Sequence, residues 1–482
     1  MRLSTIARIL GILLMVFSLT MLPPIAISLF YADGQLSLFI TALILIFVVG
    51  LLSWLPTRKE RRELRIRDGF VITILFWVVL GAAGAVPFII GDNPHMPLTD
   101  ALFESFSGLT TTGATVLAGL DTIPRSISYY RQQLQWLGGM GIVVLAVAIL
   151  RMLGVGGMKL YRAEMPGPLK DSKLSPRIAE TAKALWMIYV VLTGACALAY
   201  WLAGMTPFDA IGHAFSTIAI GGFSTHDASI GHFNSVSIEV IAIVFMLIAG
   251  MNFSLHFVSW HSRRLRHYLL DPEWRTYLVF VGVIALTISL GLIEQNVYPV
   301  TEAIRKGVFQ SVSVATTTGF STDNFSLWPT FLPFLLLMSA FIGACGGSAG
   351  GGIKVIRVLL LYKQGAREIM RLIHPNAVIP IKLGRTPVGS RVVEAVWGFL
   401  AAYVLVFALL MLLVMAIGED PITAYSVVGS ALNNLGPALG NAAVNYAEMA
   451  DGTKLVLIFA MLLGRLELFT LLVVLTPAFW KS

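Results

Sequence analysis

The chain has 482 residues, 57% of them hydrophobic and only 12% charged, with a mean hydropathy of +0.81. Soluble domains carry about 25% charged residues, so a water-soluble globular fold is excluded and lipid is the implied solvent. The two cysteines, Cys196 and Cys345, both lie inside apolar segments and offer no disulfide framework.

Crossing a hydrocarbon core of about 30 Å takes about 20 helical residues. Stretches of that kind recur ten times, near residues 9–30, 36–56, 69–91, 134–153, 179–203, 236–260, 276–294, 331–358, 391–417 and 454–477. The first lacks a small-residue cleavage site ahead of Pro23 and Pro24, so it reads as a retained anchor rather than a signal peptide. Short cytoplasmic loops collect Lys and Arg. With the N-terminus inside, 28 of the 34 basic residues fall inside, five outside (Arg125, Arg131, Arg305, Lys306 and Lys454), and Arg465 falls in the membrane. That bias puts both termini in the cytoplasm. It also explains the net charge of +8 without a nucleic-acid partner.

Four of the outer loops contain a semi-polar segment too short to cross: DALFESFSGLTTTGAT (100–115), DAIGHAFSTIAIGGFST (209–225), KGVFQSVSVATTTGFST (306–322) and TAYSVVGSALNNLGPAL (423–439). Aligned without gaps, they are read as sharing one column, a glycine: Gly113, Gly222, Gly319 and Gly436, spaced 109, 97 and 117 residues apart. Each unit then reads as spanning helix, re-entrant segment, spanning helix. Units that begin and end on the same face can only surround an axis along the membrane normal. The expected fold is an all-α polytopic membrane protein with four parallel helix/pore-loop/helix repeats around a central pore. The repeats cover 58–153, 154–261, 262–375 and 376–482, and a peripheral two-helix transmembrane hairpin covers 1–57.

A short helix descending in each segment aims the partial negative charge of its C-terminal carbonyls at the axis, where a cation is favoured. The residues that follow return in extended form: Thr110, Thr111, Thr112 and Gly113; Ala219, Ile220, Gly221 and Gly222; Thr316, Thr317, Thr318 and Gly319; Asn433, Asn434, Leu435 and Gly436. Their side chains differ, so coordination must come from backbone carbonyls, and glycine permits the backbone angles this needs. The plainer alternative is that the four glycines are helix C-caps or lipid-facing small residues. Among acidic residues near the outer mouth, Asp100, Glu104, Asp209 and Asp323 either concentrate cations or serve structure. Asp100 and Asp209 in particular are placed to cap the pore helices.

The second span of the third unit is interrupted by GACGGSAGGG, with Gly343, Gly346, Gly347, Ser348, Gly350, Gly351 and Gly352. At 1.5 Å per residue this run begins about 18 Å deep, and Arg465 of the fourth unit lies about 17 Å deep by the same rise. A non-helical run at that depth must face a cavity, which puts it beneath the filter. A membrane arginine costs about 2.5–3.5 kcal/mol on insertion scales and turns inward. Glu467, two residues on, projects from nearly the opposite helix face. Arg465 and the glycine loop are therefore the expected gate; a purely structural, helix-bridging arginine is the alternative.

Gly346, Ser348 and Gly350 also fit G-x-S-x-G, but without its strand-turn-helix setting. An intramembrane serine hydrolase, with His256, His261 or His374 as base, is a distant alternative to a non-enzymatic role. Gly352-Ile353-Lys354-Val355 is no Walker A ending, so no organic cofactor is expected. The histidines, His213 and His226 included, show no metal-ligand spacing.

The TTTGA and TTTGF loops, the four pore-loop glycines and the glycine run closely resemble the Trk/Ktr/HKT superfamily, in particular the bacterial TrkH type. The likeness spans essentially the whole chain, including the two extra N-terminal helices. It implies potassium uptake across the bacterial inner membrane, potassium bound at the filter residues, a homodimer with one pore per protomer, and a cytosolic nucleotide-binding regulatory subunit of TrkA type. It also supports the pairing of Arg465 with the glycine loop. In that family, serine at the first filter glycine accompanies sodium transport; Gly113 therefore implies potassium selectivity. Symport of potassium with protons or sodium remains the nearer alternative.

Overall fold

The computed structural model describes residues 3–59, 66–141, 178–384 and 386–481. Among the described residues, six helices are long and apolar enough to cross a membrane: Leu3–Tyr31, Leu36–Thr57, Arg67–Ile90, Ala182–Leu202, Pro272–Glu294 and Ser390–Ile417. Two further spans are bent helix pairs, Val236–Ala249 with Phe253–Ser262 at 91° and Asp451–Arg465 with Phe469–Leu475 at 115°. A helix at 125–141 and the interrupted pair Leu332–Ile342 and Val355–Ile373 occupy the remaining apolar stretches. The expected end of the fourth span and the boundary at 153 fall in 142–177, outside the described residues. Among the described residues the one strand pairing is antiparallel, of Lys382–Leu383 with Thr386–Pro387.

Leu405, Leu409 and Leu412 on Ser390–Ile417 are exposed, as are Val279, Leu286 and Leu290 on Pro272–Glu294. In water these would be adhesive patches; in a bilayer they are the ordinary lipid-facing surface. The first two spans cross where Gly11 meets Gly50. A Cβ on Gly11 would lie 2.7 Å from Gly50 O, and one on Gly50 2.8 Å from Gly11 O. Such close backbone approach is how helices associate in lipid, where there is no hydrophobic drive between them.

Four short helices lie between spans: Leu98–Leu109, Pro207–Ile218, Val300–Ala315 and Pro421–Leu432. Two start with a proline at the first helical position behind a side-chain cap, a favourable pairing because that N–H has no helical partner. Thr206 accepts from Asp209 N at 3.1 Å. Asp420 accepts from Ile422 N at 3.0 Å and from Thr423 N at 3.1 Å. Asp100 and Asp209 are thus not the caps: each is the third helical residue. Asp100 instead receives Lys454 Nζ at 2.6 Å, and Asp209 receives the hydroxyls of Thr206 at 2.6 Å and Thr225 at 2.7 Å.

The spans at 236–260 and 454–477 are also broken, where hydropathy alone reads through. Asn252 caps the new helix by accepting from Ser254 N at 2.8 Å. The backbone freed at the bend bonds the glycine run: Cys345 N donates to Gly250 O at 3.0 Å, and Phe253 N to Gly347 O at 3.1 Å. At the other bend Glu467 takes a left-handed φ of 52° and accepts from Arg357 Nη2 at 2.5 Å. Arg357 is thereby the partner that Arg465 is not.

Candidate ion-conduction site

The four short helices end alike. Their C-caps are Thr110, Ala219, Thr316 and Asn433, three residues before the shared glycines, so the glycines are not caps. In every loop two residues take positive φ, in alternation: Thr111 at 54° and Gly113 at 82°, Ile220 at 54° and Gly222 at 75°, Thr317 at 65° and Gly319 at 85°, Asn434 at 51° and Gly436 at 96°. For Thr and Ile, both β-branched, that conformation costs about 1–2 kcal/mol each. It is accompanied by a second shared column that reading for the glycine alone passes over. A serine stands six residues before each glycine: Ser107, Ser216, Ser313 and Ser430. Its carbonyl accepts the amide just before the glycine, from Thr112 at 2.9 Å, Gly221 at 2.8 Å, Thr318 at 2.8 Å and Leu435 at 2.9 Å. In two loops its hydroxyl also holds the carbonyl just past the glycine, Ser107 to Ala114 O at 2.5 Å and Ser313 to Phe320 O at 2.6 Å.

The four glycines close into a ring. A Cβ on Gly113 would meet Gly221 O at 2.0 Å, one on Gly222 would meet Thr318 O at 2.1 Å, one on Gly319 would meet Leu435 O at 2.3 Å, and one on Gly436 would meet Thr112 O at 2.7 Å. Each loop thus places the carbonyl before its own glycine against the glycine of the preceding loop, and the fourth returns to the first. All four glycines line one cavity of about 410 Å³, together with Arg131, His226, Asp227, Asp323 and Tyr446.

Side chains behind the ring hold it. Gln135 Nε2 donates to Gly221 O at 2.6 Å while its Oε1 accepts from Phe223 N at 3.0 Å. Tyr446 OH donates to Gly436 O at 2.7 Å, and Asn434 Nδ2 to Thr112 Oγ1 at 3.0 Å. Arg131, assigned above to an outer loop, is instead fully buried on the helix at 125–141 and pairs with Glu104 at 2.7 Å. Of the four mouth carboxylates, only Asp323 lines the cavity, and Lys306 Nζ donates to it at 3.2 Å. The others are engaged by the partners named above, so they form no free anionic rim. Replacing Arg131 with Met leaves the Glu104 carboxylate buried and unpaired, a loss of about 3–5 kcal/mol. The expected result is a marked fall in melting temperature in detergent, partly restored by the Glu104→Gln/Arg131→Met double variant.

Directly beneath, the glycine run is buried and touches the ring. Gly351 N donates to Thr317 Oγ1 at 2.7 Å. A Cβ on Gly351 would lie 1.8 Å from Asn433 O, and one on Gly350 2.9 Å from Thr316 O. The run is closed at its base by Ile353 N to Phe341 O and Lys354 N to Ile342 O, both 2.9 Å, and is tied outward by Gly346 N to Glu273 Oε1 at 2.6 Å. Lys354 Nζ donates to Gly350 O. Arg465 Nη1 donates to Ala349 O at 2.9 Å and Nη2 to Gly138 O at 3.0 Å. Ser348 Oγ is spent on Cys345 O at 2.8 Å, and both ring nitrogens of His256 are occupied, by Tyr268 OH at 2.9 Å and Ile248 O at 3.0 Å, so this serine has no base beside it there.

The histidines are not all isolated. His213 is a core residue, with Nδ1 donating to Asp209 O at 2.8 Å and Nε2 accepting from Ser224 Oγ at 2.9 Å. His226, in contrast, gathers with Asp121 and His232 into a group of metal-ligating type. No spacing rule reveals it, because Asp121 and the two histidines come from different outer loops. Burial disfavours the His226 imidazolium, but the Asp209 and Asp121 carboxylates prevail and its pKa is raised. The hydrogen bond from His226 in turn lowers that of Asp121.

A multi-pass helical membrane protein in which the loops after four short helices converge on one glycine-lined cavity is the class this geometry defines. The TrkH family model, described as a cation transport protein, matches residues 35–482, and the chain belongs to that family. It is 59% identical over 482 residues to the Trk system potassium uptake protein TrkH of Halomonas elongata, and 56% identical over 483 residues to that of Escherichia coli K12, in both cases across 100% of either chain. The crystal structure of the potassium transporter TrkH from Vibrio parahaemolyticus superposes with a TM-score of 0.92 at 53% identity, covering 100% of both chains.

Proposed function

We propose that this chain carries potassium into the cell across the inner membrane, with both termini cytoplasmic and the pore-helix N-termini facing out. The observation that supports this best is the closed ring in which each filter glycine faces the carbonyl of the next loop. Carbonyl oxygens so arranged replace the water shell of a permeating cation, and the uptake proteins named above supply the identity of the ion. Thr110 to Gly113, Ala219 to Gly222, Thr316 to Gly319 and Asn433 to Gly436 are the selectivity filter. The glycine run from Gly343 to Gly352 and Arg465 are the gate, and the unit boundaries are those read from sequence. A homodimer with a cytosolic nucleotide-binding subunit of TrkA type belongs to the same reading, since the relatives are named as parts of a Trk system.

Reversal potentials of the purified chain in proteoliposomes test it. Under a potassium gradient, a channel-like pathway reverses at the potassium equilibrium potential whatever the pH or sodium gradient. A reversal that moves with either of those gradients replaces this reading by coupled symport.

A further inference from the structure

The group formed by Asp121, His226 and His232 lies outside everything assigned to the filter or the gate. The imidazoles of His226 and His232 stack with centroids 3.5 Å apart and planes within 3°. Both approach one oxygen: His226 Nδ1 bonds Asp121 Oδ1, and His232 Nδ1 lies 4.0 Å from it. The three donor atoms all fall within 4.8 Å of one another. Two imidazole nitrogens and one carboxylate are a borderline-soft donor set, suited to zinc and its neighbours and unsuited to potassium or magnesium, which take oxygen ligands.

The surroundings are those of a held ligand set. Asp227 N donates to Asp121 Oδ2 at 3.3 Å, and Leu120 N to Asp227 Oδ1 at 3.1 Å, which locks the two loops together. Phe233 presents its ring edge-on to both imidazoles, at 5.4 Å from His226 and 5.2 Å from His232. His226 Nε2, the nitrogen away from the proposed ion, faces Asp209 Oδ1 at 3.5 Å. His226 Nε2 makes no hydrogen bond among the described residues, so this carboxylate acts on the imidazole through its charge, which raises its basicity. His226 and Asp227 line the same cavity as the four filter glycines.

We propose that Asp121, His226 and His232 bind Zn²⁺ or a transition ion of like chemistry at the mouth of the pathway, and that its occupancy slows potassium entry. The ion clamps the loop after the first filter strand to the loop after the second, and adds two positive charges at the wall of the cavity that an entering cation must cross. The blocking half rests on the proposed potassium pathway; the site itself does not.

Two measurements keep the halves apart. Calorimetry of the chelator-treated full chain with ZnCl₂ is expected to give one ion per chain, with binding weakened at least about tenfold in His232→Ala and in Asp121→Asn. Co²⁺ in place of Zn²⁺ should show visible absorption bands that the same variants lose. In proteoliposomes, Zn²⁺ in the outer bath should lower potassium flux, and the concentration for half-inhibition should rise at least about tenfold in His232→Ala. Read as the ratio of flux with and without Zn²⁺, this is independent of how well each variant transports. No binding, or equal binding by wild type, His226→Ala and His232→Ala, overturns the site. Zn²⁺ that binds without changing flux, or inhibits every variant equally, overturns the block.

Discussion

Alanine at Gly113, Gly222 or Gly319 is expected to cut potassium flux at least about tenfold, and alanine at Gly436 to do the least damage of the four. The ranking follows from contact. At the first three, the new Cβ falls 2.0, 2.1 and 2.3 Å from a carbonyl oxygen of the next loop, whereas at Gly436 the nearest is 2.7 Å away. The oxygen displaced is in each case the one that the proposed pathway needs, and the left-handed φ adds about 1–2 kcal/mol of strain. With about 1.4 kcal/mol per factor of ten, strain alone brings the effect near tenfold before any loss of ion contacts. Gly113→Ser carries the sharper message because its side chain is small and polar. Shifting Gly221 O also disturbs the Gln135 bond to it, so the preference for potassium over sodium should fall while the protein remains folded. A normally expressed Gly113→Ser protein with its ion preference unchanged would end the filter assignment.

What the sequence made legible was whatever is periodic or repeated. The apolar stretches marked where the long helices lie, and a repeated semi-polar segment with one glycine marked the four short helices and the turn that follows each. What was hidden depends on contacts between distant segments. The bends at Gly250–Asn252 and at Glu467 sit in runs that stay apolar, so hydropathy passes through them. The first shows only once its freed backbone is seen bonding Cys345 and Gly347, the second once Glu467 is seen accepting from Arg357. Arg131 looked like a loop cation because it precedes the apolar stretch, and its buried partner Glu104 lies in a different segment. The left-handed residues Thr111, Ile220 and Thr317 were illegible for the opposite reason: β-branched side chains normally argue against that conformation. The serine column was in plain view, and a gapless comparison of every position would have found it.

These contacts also show why the gate candidate is more than a loop and an arginine. The run is held from three sides: by Glu273 at Gly346, by the bend of the second unit at Cys345 and Gly347, and by Lys354 at Gly350. Near Ala349 the run is also bonded by Arg465, and at Gly351 it packs directly on Asn433 O. Of these anchors only Lys354 adjoins the run in sequence, while Glu273, the bend at Gly250–Phe253 and Arg465 come from three other helical segments.

Arg465→Ala is therefore expected to raise potassium flux in proteoliposomes by about ten- to a hundredfold. A hydrogen bond to a charged group contributes about 1.5–3 kcal/mol, so losing the Ala349 bond alone shifts a closed-to-open equilibrium by about that factor. The second bond, to Gly138 O on the helix at 125–141, fixes where the guanidinium sits, and Nε makes no hydrogen bond among the described residues. The arginine is thus held by its two terminal nitrogens, each on a carbonyl of a different segment. Lysine keeps the charge but not the fork. Arg465→Lys should therefore fall between wild type and Arg465→Ala, reaching one carbonyl but not both. If the arginine only braces the helices, alanine should lower thermal stability and flux together, with lysine restoring both. If it gates, flux rises in the alanine variant while the filter's potassium-over-sodium preference stays as it was, because no filter carbonyl bonds Arg465.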